Sequence, residues 1–137
     1  MRRIYVDRAD AGRTLAESLS AWRSAPETVV FALPRGGVPV AYEVATALAL
    51  PLDVLVVRKL GLPSQPELAM GAIASGGAIV LNRDVLRYLQ GGDDALESVR
   101  ARETVELLRR ERQYRGNRPP LAMSGQTAIV VDDGLAT

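Results

Sequence analysis

Thr28-Val29-Val30-Phe31-Ala32-Leu33 runs straight into Pro34-Arg35-Gly36-Gly37. A stretch of small and apolar residues from Val38 to Ala49 then leads to Leu52-Asp53-Val54-Leu55-Val56-Val57. The first run is short, unbroken and rich in β-branched side chains, as expected of a strand covered on both faces of a parallel sheet. Val40, Val44, Ala45 and Leu48 recur at helical spacing after the glycines, and Pro51 closes that helix. The second apolar run reads as another buried strand. Residues 28 to 57 therefore predict a strand, loop, helix, strand unit with a right-handed crossover, and with it an α/β fold.

Working outward, residues 3 to 6 alternate weakly like a short strand. Asp7 or Asp10 is placed to cap a helix carrying Leu15, Leu19 and Trp22. Residues 58 to 69, with two prolines and a glycine, read as an excursion outside the sheet. Met70 to Ser75 and Ala78 to Leu81 flank Gly76-Gly77 and predict a hairpin. Asn82 or Asp84 starts a short helix, and Asp93 or Asp94 caps a long one reaching about Tyr114. Leu96, Val99, Val105, Leu107 and Leu108 form its expected apolar side, and its arginines are expected to face solvent. After a loop over 115 to 126, Thr127-Ala128-Ile129-Val130-Val131 reads as a third buried strand. It delivers Asp132-Asp133-Gly134-Leu135-Ala136-Thr137 at its carboxyl end, where open α/β sheets place ligands.

Composition narrows the chemistry. At 137 residues the chain fits one domain, residues 1–137. Lys and Arg number 17 against 16 Asp and Glu, so there is no broad basic field for nucleic acid and no net pull toward an anionic membrane. Cys and His are both absent, which removes disulfides, thiol nucleophiles, zinc fingers and imidazole bases. No apolar run reaches 18 residues, and the expectation is a cytoplasmic protein.

What remains for chemistry is carboxylates, Lys, Arg and hydroxyls. Two acids side by side at a strand tip either cap the following turn or engage a cation or a diol. Gly36 and Gly37 allow backbone N–H groups to approach an anion, the helix starting near Val38 presents its positive dipole end, and Arg35 adds a forked donor for phosphate oxygens. A plain turn from strand to helix is the alternative. Arg58 and Lys59 follow the second strand, and by themselves would be a solvated basic pair.

Val130-Val131-Asp132-Asp133-Gly134-Leu135-Ala136-Thr137 closely resembles the opening of the phosphoribosyl-pyrophosphate motif of type I phosphoribosyltransferases. In that family the motif continues Gly-x-Thr. Leu33-Pro34-Arg35-Gly36-Gly37 looks like the family's pyrophosphate loop, and Arg58-Lys59-Leu60-Gly61-Leu62-Pro63 is similar to the base of the mobile loop in adenine-type members. The likeness covers about residues 28 to 137 in the family's order. Within the superfamily it resembles most the uncharacterised group of predicted bacterial phosphoribosyltransferases that carry Ala-Leu-Pro-Arg-Gly-Gly-Val-Pro-Val and then Arg-Lys-Leu-Gly. A dinucleotide-binding α/β domain is the rival enzyme class, but the third glycine of its fingerprint is missing here.

The resemblance implies a three-layer parallel-sheet fold with a hairpin and mobile-loop excursion near residues 60 to 76. It implies transfer of phosphoribose from phosphoribosyl pyrophosphate (PRPP) to a nitrogenous, nucleobase-like acceptor, with release of pyrophosphate. Arg35, Gly36, Gly37, Arg58, Lys59, Gly134, Ala136 and Thr137 would bind the donor. Asp132, Asp133 and Lys59 would be catalytic, and Asp132 and Asp133 would hold Mg2+ directly, through water or through the ribose hydroxyls. Glu67 would orient substrate or support its loop. Because the chain stops at Thr137, inside the phosphate loop, the fold is expected to be incomplete at its C-terminus, a chain of this length a poor catalyst, and a homodimer the assembly. A domain of the same fold that senses PRPP or nucleotide without transferring anything, or a structural remnant, is the alternative.

Overall fold

The computed structural model describes residues 4–89, 92–120 and 123–134. Two compact units emerge, one from the residues up to Leu55 together with those from Arg118 onward, the other Val56–Asn117.

In the first unit, helix α1 spans Arg8–Ser18. Asp7 is its N-cap and accepts the Asp10 N–H at 2.8 Å, while Asp10 Oδ2 accepts the Val6 N–H at 3.1 Å. This reciprocal cap explains why the expected strand at residues 3 to 6 is absent from the described residues 4 to 6. The Val6 N–H serves the helix start, and Ile4 and Val6 are solvent-exposed. Strand β1, Thr28–Ala32, is buried at every position. Helix α2, Gly37–Leu48, follows it, and strand β2, Leu52–Val54, returns parallel to β1. Strand β6, Thr127–Val131, pairs parallel with the other edge of β1, so the sheet order is β2-β1-β6.

Val30, Ala32 and Val131 of the sheet, Val40, Ala41, Val44 and Leu48 of α2 and Ala16 of α1 form the core of this unit. α1 crosses α2 at Gly12, where a Cβ would lie 2.6 Å from the Val40 carbonyl oxygen, so any side chain would force the helices apart. β6 departs from the expected buried strand: only Val131 is buried, and Val130 is half exposed. It is an edge strand, flanked in the sheet by β1 alone among the described residues.

The second unit is an antiparallel sheet of β3, Val57–Gly61, β4, Ala69–Ala74, and β5, Ala78–Leu81, in that order, with the short helix α3, Arg83–Arg87, and the long helix α4, Gly92–Arg115. Its core is Val56, Leu60, Leu62, Met70, Ile73, Val99 and Leu107. The hairpin at Gly76-Gly77 forms as expected. Two expectations are corrected. The run from Leu52 to Val57 is two strand ends rather than one strand: the Leu55 N–H still donates to Ala32 O at 2.9 Å, whereas the Val56 N–H donates to the buried Ser75 Oγ at 2.9 Å. Residues 58 to 61 continue as β3, so the irregular loop is confined to residues 62 to 68.

Val105 and Leu108 of α4 are exposed at 70% and 45%, against an expectation that both were apolar-side positions. Helical phase gives the reason. Leu96, Val99, Glu103 and Leu107 fall on one face at spacings of three and four, and Val105 lies opposite them.

Candidate functional site

In the first unit two segments converge at the carboxyl end of the parallel sheet. The Leu33 N–H donates to Val131 O at 2.9 Å, which carries the β1 to β6 ladder one residue past the end of β1. The chain then turns through Pro34 and Arg35, whose connecting peptide bond is cis, into Gly36 and the first turn of α2. Gly36 is the N-cap and offers no side-chain cap, but the loop itself meets the first-turn donors: the Gly37 N–H donates to Leu33 O at 3.0 Å, the Val38 N–H donates to Arg35 O at 3.3 Å, and Pro39 has none, so what α2 presents here is the positive end of its dipole.

The acidic tip opposes both glycines, through its main chain at Gly37 and through a side chain at Gly36. A Cβ on Gly37 would sit 2.7 Å from Val131 O and 3.1 Å from the Asp132 Cα, and one on Gly36 would collide with the Asp133 carboxylate. The loop after β1 and the tip after β6 are thus in backbone-to-backbone contact, closer than any residue with a side chain permits. Arg35 is exposed beside them, as are Asp132, Asp133 and Gly134.

Asp132 Oδ1 accepts the Asp133 N–H at 2.8 Å, which fixes the turn at the tip. Asp133 Oδ2 accepts two bonds from Arg8 on α1, at 2.9 Å from Nη2 and 3.2 Å from Nε. The Arg8 guanidinium is the main cause that holds the Asp133 carboxyl below its ordinary range, with a bond to Asp132 contributing and desolvation opposing. Asp133 therefore stays ionised next to a second acid. Arg8 lies 125 positions from Asp133; the sequence reading missed it because no local pattern marks such a pairing. A cavity of ≈ 560 Å³ opens beside the tip, with Tyr5, Leu15, Leu33 and Val40 among its walls and Asp132 and Asp133 at its polar end.

Magnesium is bound in phosphate-handling sites by one or two carboxylates, with substrate oxygens and water completing the octahedron. The exposed Asp132–Asp133 pair fits that donor set. Among the described residues no group of three or more metal-ligating side chains assembles into a separate cage.

The second unit holds the other expected site residues. Successive side chains of a strand point to opposite faces, and Arg58 and Lys59 of β3 divide accordingly. Arg58 shares its face with the buried Leu60 and pairs with Glu103 of α4, Nε at 2.8 Å and Nη2 at 2.6 Å from Oε1. Lys59 Nζ donates to Glu67 O at 3.3 Å and lies 3.8 Å from the Glu67 carboxylate, which is fully exposed. Glu67 thereby supports the loop in this structure. A cavity of ≈ 480 Å³ is lined by Arg58, Lys59, Arg102 and Glu103 with Pro63 and Pro66. Ala136 and Thr137 lie outside the described residues.

Comparison with known proteins gives a consistent picture. A family model described as phosphoribosyl transferase domain matches residues 5–137. Two Mycobacterium tuberculosis proteins, from strains CDC 1551 / Oshkosh and H37Rv, each named "Putative phosphoribosyl transferase", are 51% identical to the chain over 135 residues. The match covers 98% of this chain and 30% of theirs. The crystal structure of TT1426 from Thermus thermophilus superposes with a TM-score of 0.80 at 44% identity, covering 96% of this chain and 62% of that one. The chain thus spans less than two thirds of the length of each of these relatives.

Proposed function

The chain belongs to the phosphoribosyl transferase domain family, and from that premise we propose that it binds PRPP with magnesium at the glycine loop and acidic tip, for transfer of the phosphoribosyl group to a nitrogenous acceptor with release of pyrophosphate. The observation that carries the reading is the fit of Gly36 and Gly37 against Val131, Asp132 and Asp133. It places the positive dipole end of a helix, which favours anions, directly beside two ionisable acids, which favour a cation or a diol. A ligand needing both at once carries phosphate and hydroxyl groups on one small frame.

In this reading the forked Arg35 side chain holds phosphate oxygens, and it and the positive dipole end of α2 offset the charge that grows on a departing pyrophosphate. Asp132 and Asp133 hold the ribose hydroxyls and the metal, and their negative charge favours a sugar with oxocarbenium character. Arg8 pairs with Asp133 and lowers its carboxyl pKa further. Magnesium would supply Lewis-acid charge neutralisation across the diphosphate oxygens. The family resemblance alone assigns Lys59, in the second unit, to the pyrophosphate. The cavity beside Asp132 and Asp133, with its apolar walls, suits a flat, weakly polar acceptor ring.

The test is calorimetric titration of PRPP with and without magnesium. Replacing both acids, Asp132→Asn with Asp133→Asn, is expected to weaken magnesium-dependent binding by at least about tenfold; unchanged affinity would overturn the assignment. Product formation with a panel of nucleobases separates transfer from sensing, since binding without turnover in a full-length protein is the signature of a sensor.

A further inference from the structure

β3 is an edge strand, so alternate N–H groups along it point away from β4. Beside it lies the ≈ 480 Å³ cavity, a space well above the size of a single water and within the range of small-ligand sites. Three cationic side chains line it, Arg58, Lys59 and Arg102, against one carboxylate, Glu103. Glu103 is committed to Arg58 through the short pair described above and lies 3.9 Å from Arg102. One negative charge therefore serves two guanidinium groups, and the charge of Lys59 is met by a fully exposed carboxylate 3.8 Å away, its hydrogen bond going to the neutral Glu67 carbonyl at 3.3 Å. The cavity keeps an excess of positive charge at the end of a stiff strand and a stiff helix. Pro63 and Pro66 restrict the loop that closes it.

Of the arginines on α4, most are satisfied by acids one turn away on the same helix: the exposed Arg100 by Glu97, Arg109 and Arg110 by Glu106, and the largely buried Arg115 by Glu111. Arg102 differs. Its acid neighbour is already occupied, and it reaches the cavity where Lys59 lies.

We propose that Arg102 is an anion-binding residue, which with Lys59 and Arg58 forms a site for a diphosphate group contained within the second unit. The idea deepens the reading above and rests on it for the identity of the ligand: pyrophosphate is the product that the proposed reaction releases. A diphosphate offers oxygens on two phosphorus atoms and so spans two separate cations, which a single orthophosphate does less well.

Titration calorimetry of inorganic pyrophosphate into the full chain, in metal-free buffer, tests it. Arg102→Gln is expected to weaken binding by roughly three- to tenfold, as for the loss of one partly exposed charge contact. Arg102→Lys is expected to restore most of the affinity, and Arg112→Gln, which removes an equal charge from the same helix, to leave it within about twofold. Equal losses for Arg102→Gln and Arg112→Gln, or wild-type affinity no greater for pyrophosphate than for orthophosphate, would sink the proposal. The two readings come apart in one variant: Asp132→Asn is expected to lose magnesium-dependent PRPP binding while retaining metal-free pyrophosphate binding. If wild-type protein binds pyrophosphate in the Arg102-dependent way but no PRPP, the transferase reading falls and the cavity stands. If PRPP binds and Arg102→Gln changes nothing, the reverse holds.

Discussion

The parallel unit and the antiparallel unit hold their polar groups by different means. At Gly37 the placement is done by main chain: a helix start and a strand tip approach until no Cβ fits between them. At Arg58, Lys59 and Arg102 it is done by long side chains steered by acids on a neighbouring helix and loop. Main-chain placement is rigid and intolerant of substitution, because relief requires moving a helix or a strand. Placement by ion pairs is adjustable, because a side chain can rotate away at modest cost. The lesson is that equal-sized substitutions in the two units should have unequal consequences.

The largest effect is expected from Gly37→Ala. The added methyl would lie 2.7 Å from Val131 O and 3.1 Å from the Asp132 Cα, and displacing the acidic tip by about 1 Å is expected to reduce magnesium-dependent PRPP binding by roughly a hundredfold. Calorimetric affinity near wild type would show that the tip yields as easily as a surface side chain.

A smaller effect is expected at the ion pair. Arg58→Met strands Glu103, whose side chain is only 13% exposed, without its partner, and should lower stability in urea unfolding by about 1–3 kcal/mol. Adding Glu103→Leu should recover most of that loss, since the desolvated charge is then gone. A double variant no better than the single one would mean the pair does not anchor β3 to α4.

The smallest effect is electrostatic. Bonds from Arg109 first, then Arg110, depress the Glu106 carboxyl from 4.5 to about 2. A depressed acid contributes above its unfolded-state value and loses that contribution as pH falls through about 2, so α4 should keep this clasp in mild acid. A carbon-detected titration of Glu106 with its midpoint at the ordinary 4.5 would show the clasp open in solution.

How much of this was legible in the sequence follows the same division. Continuous apolar runs revealed β1 and β6, and the residues attached to their ends, Arg35-Gly36-Gly37 and Asp132-Asp133, were found because strand ends carry ligands in α/β folds. The break at Leu55 and Val56 was not legible. No glycine or proline marks it, and the chain changes sheets there because Ser75, buried and remote in sequence, captures the Val56 N–H. The β3 strand was hidden by the charges of Arg58 and Lys59, which read as loop. Glu103 was hidden in the opposite sense, as a charge on the face that packs inward between Val99 and Leu107. Arg8 could be found only in three dimensions, since its bond to Asp133 has no local signature.

The pairing of β1 with β6 also sets a timetable for synthesis. At roughly 5–20 residues per second, a ribosome adds β6 about 5–20 s after β1. Through that interval the β1 flank that β6 will cover is unpaired, and the ligand cradle has only one wall. The two walls meet only once the acidic tip has been added opposite Gly37.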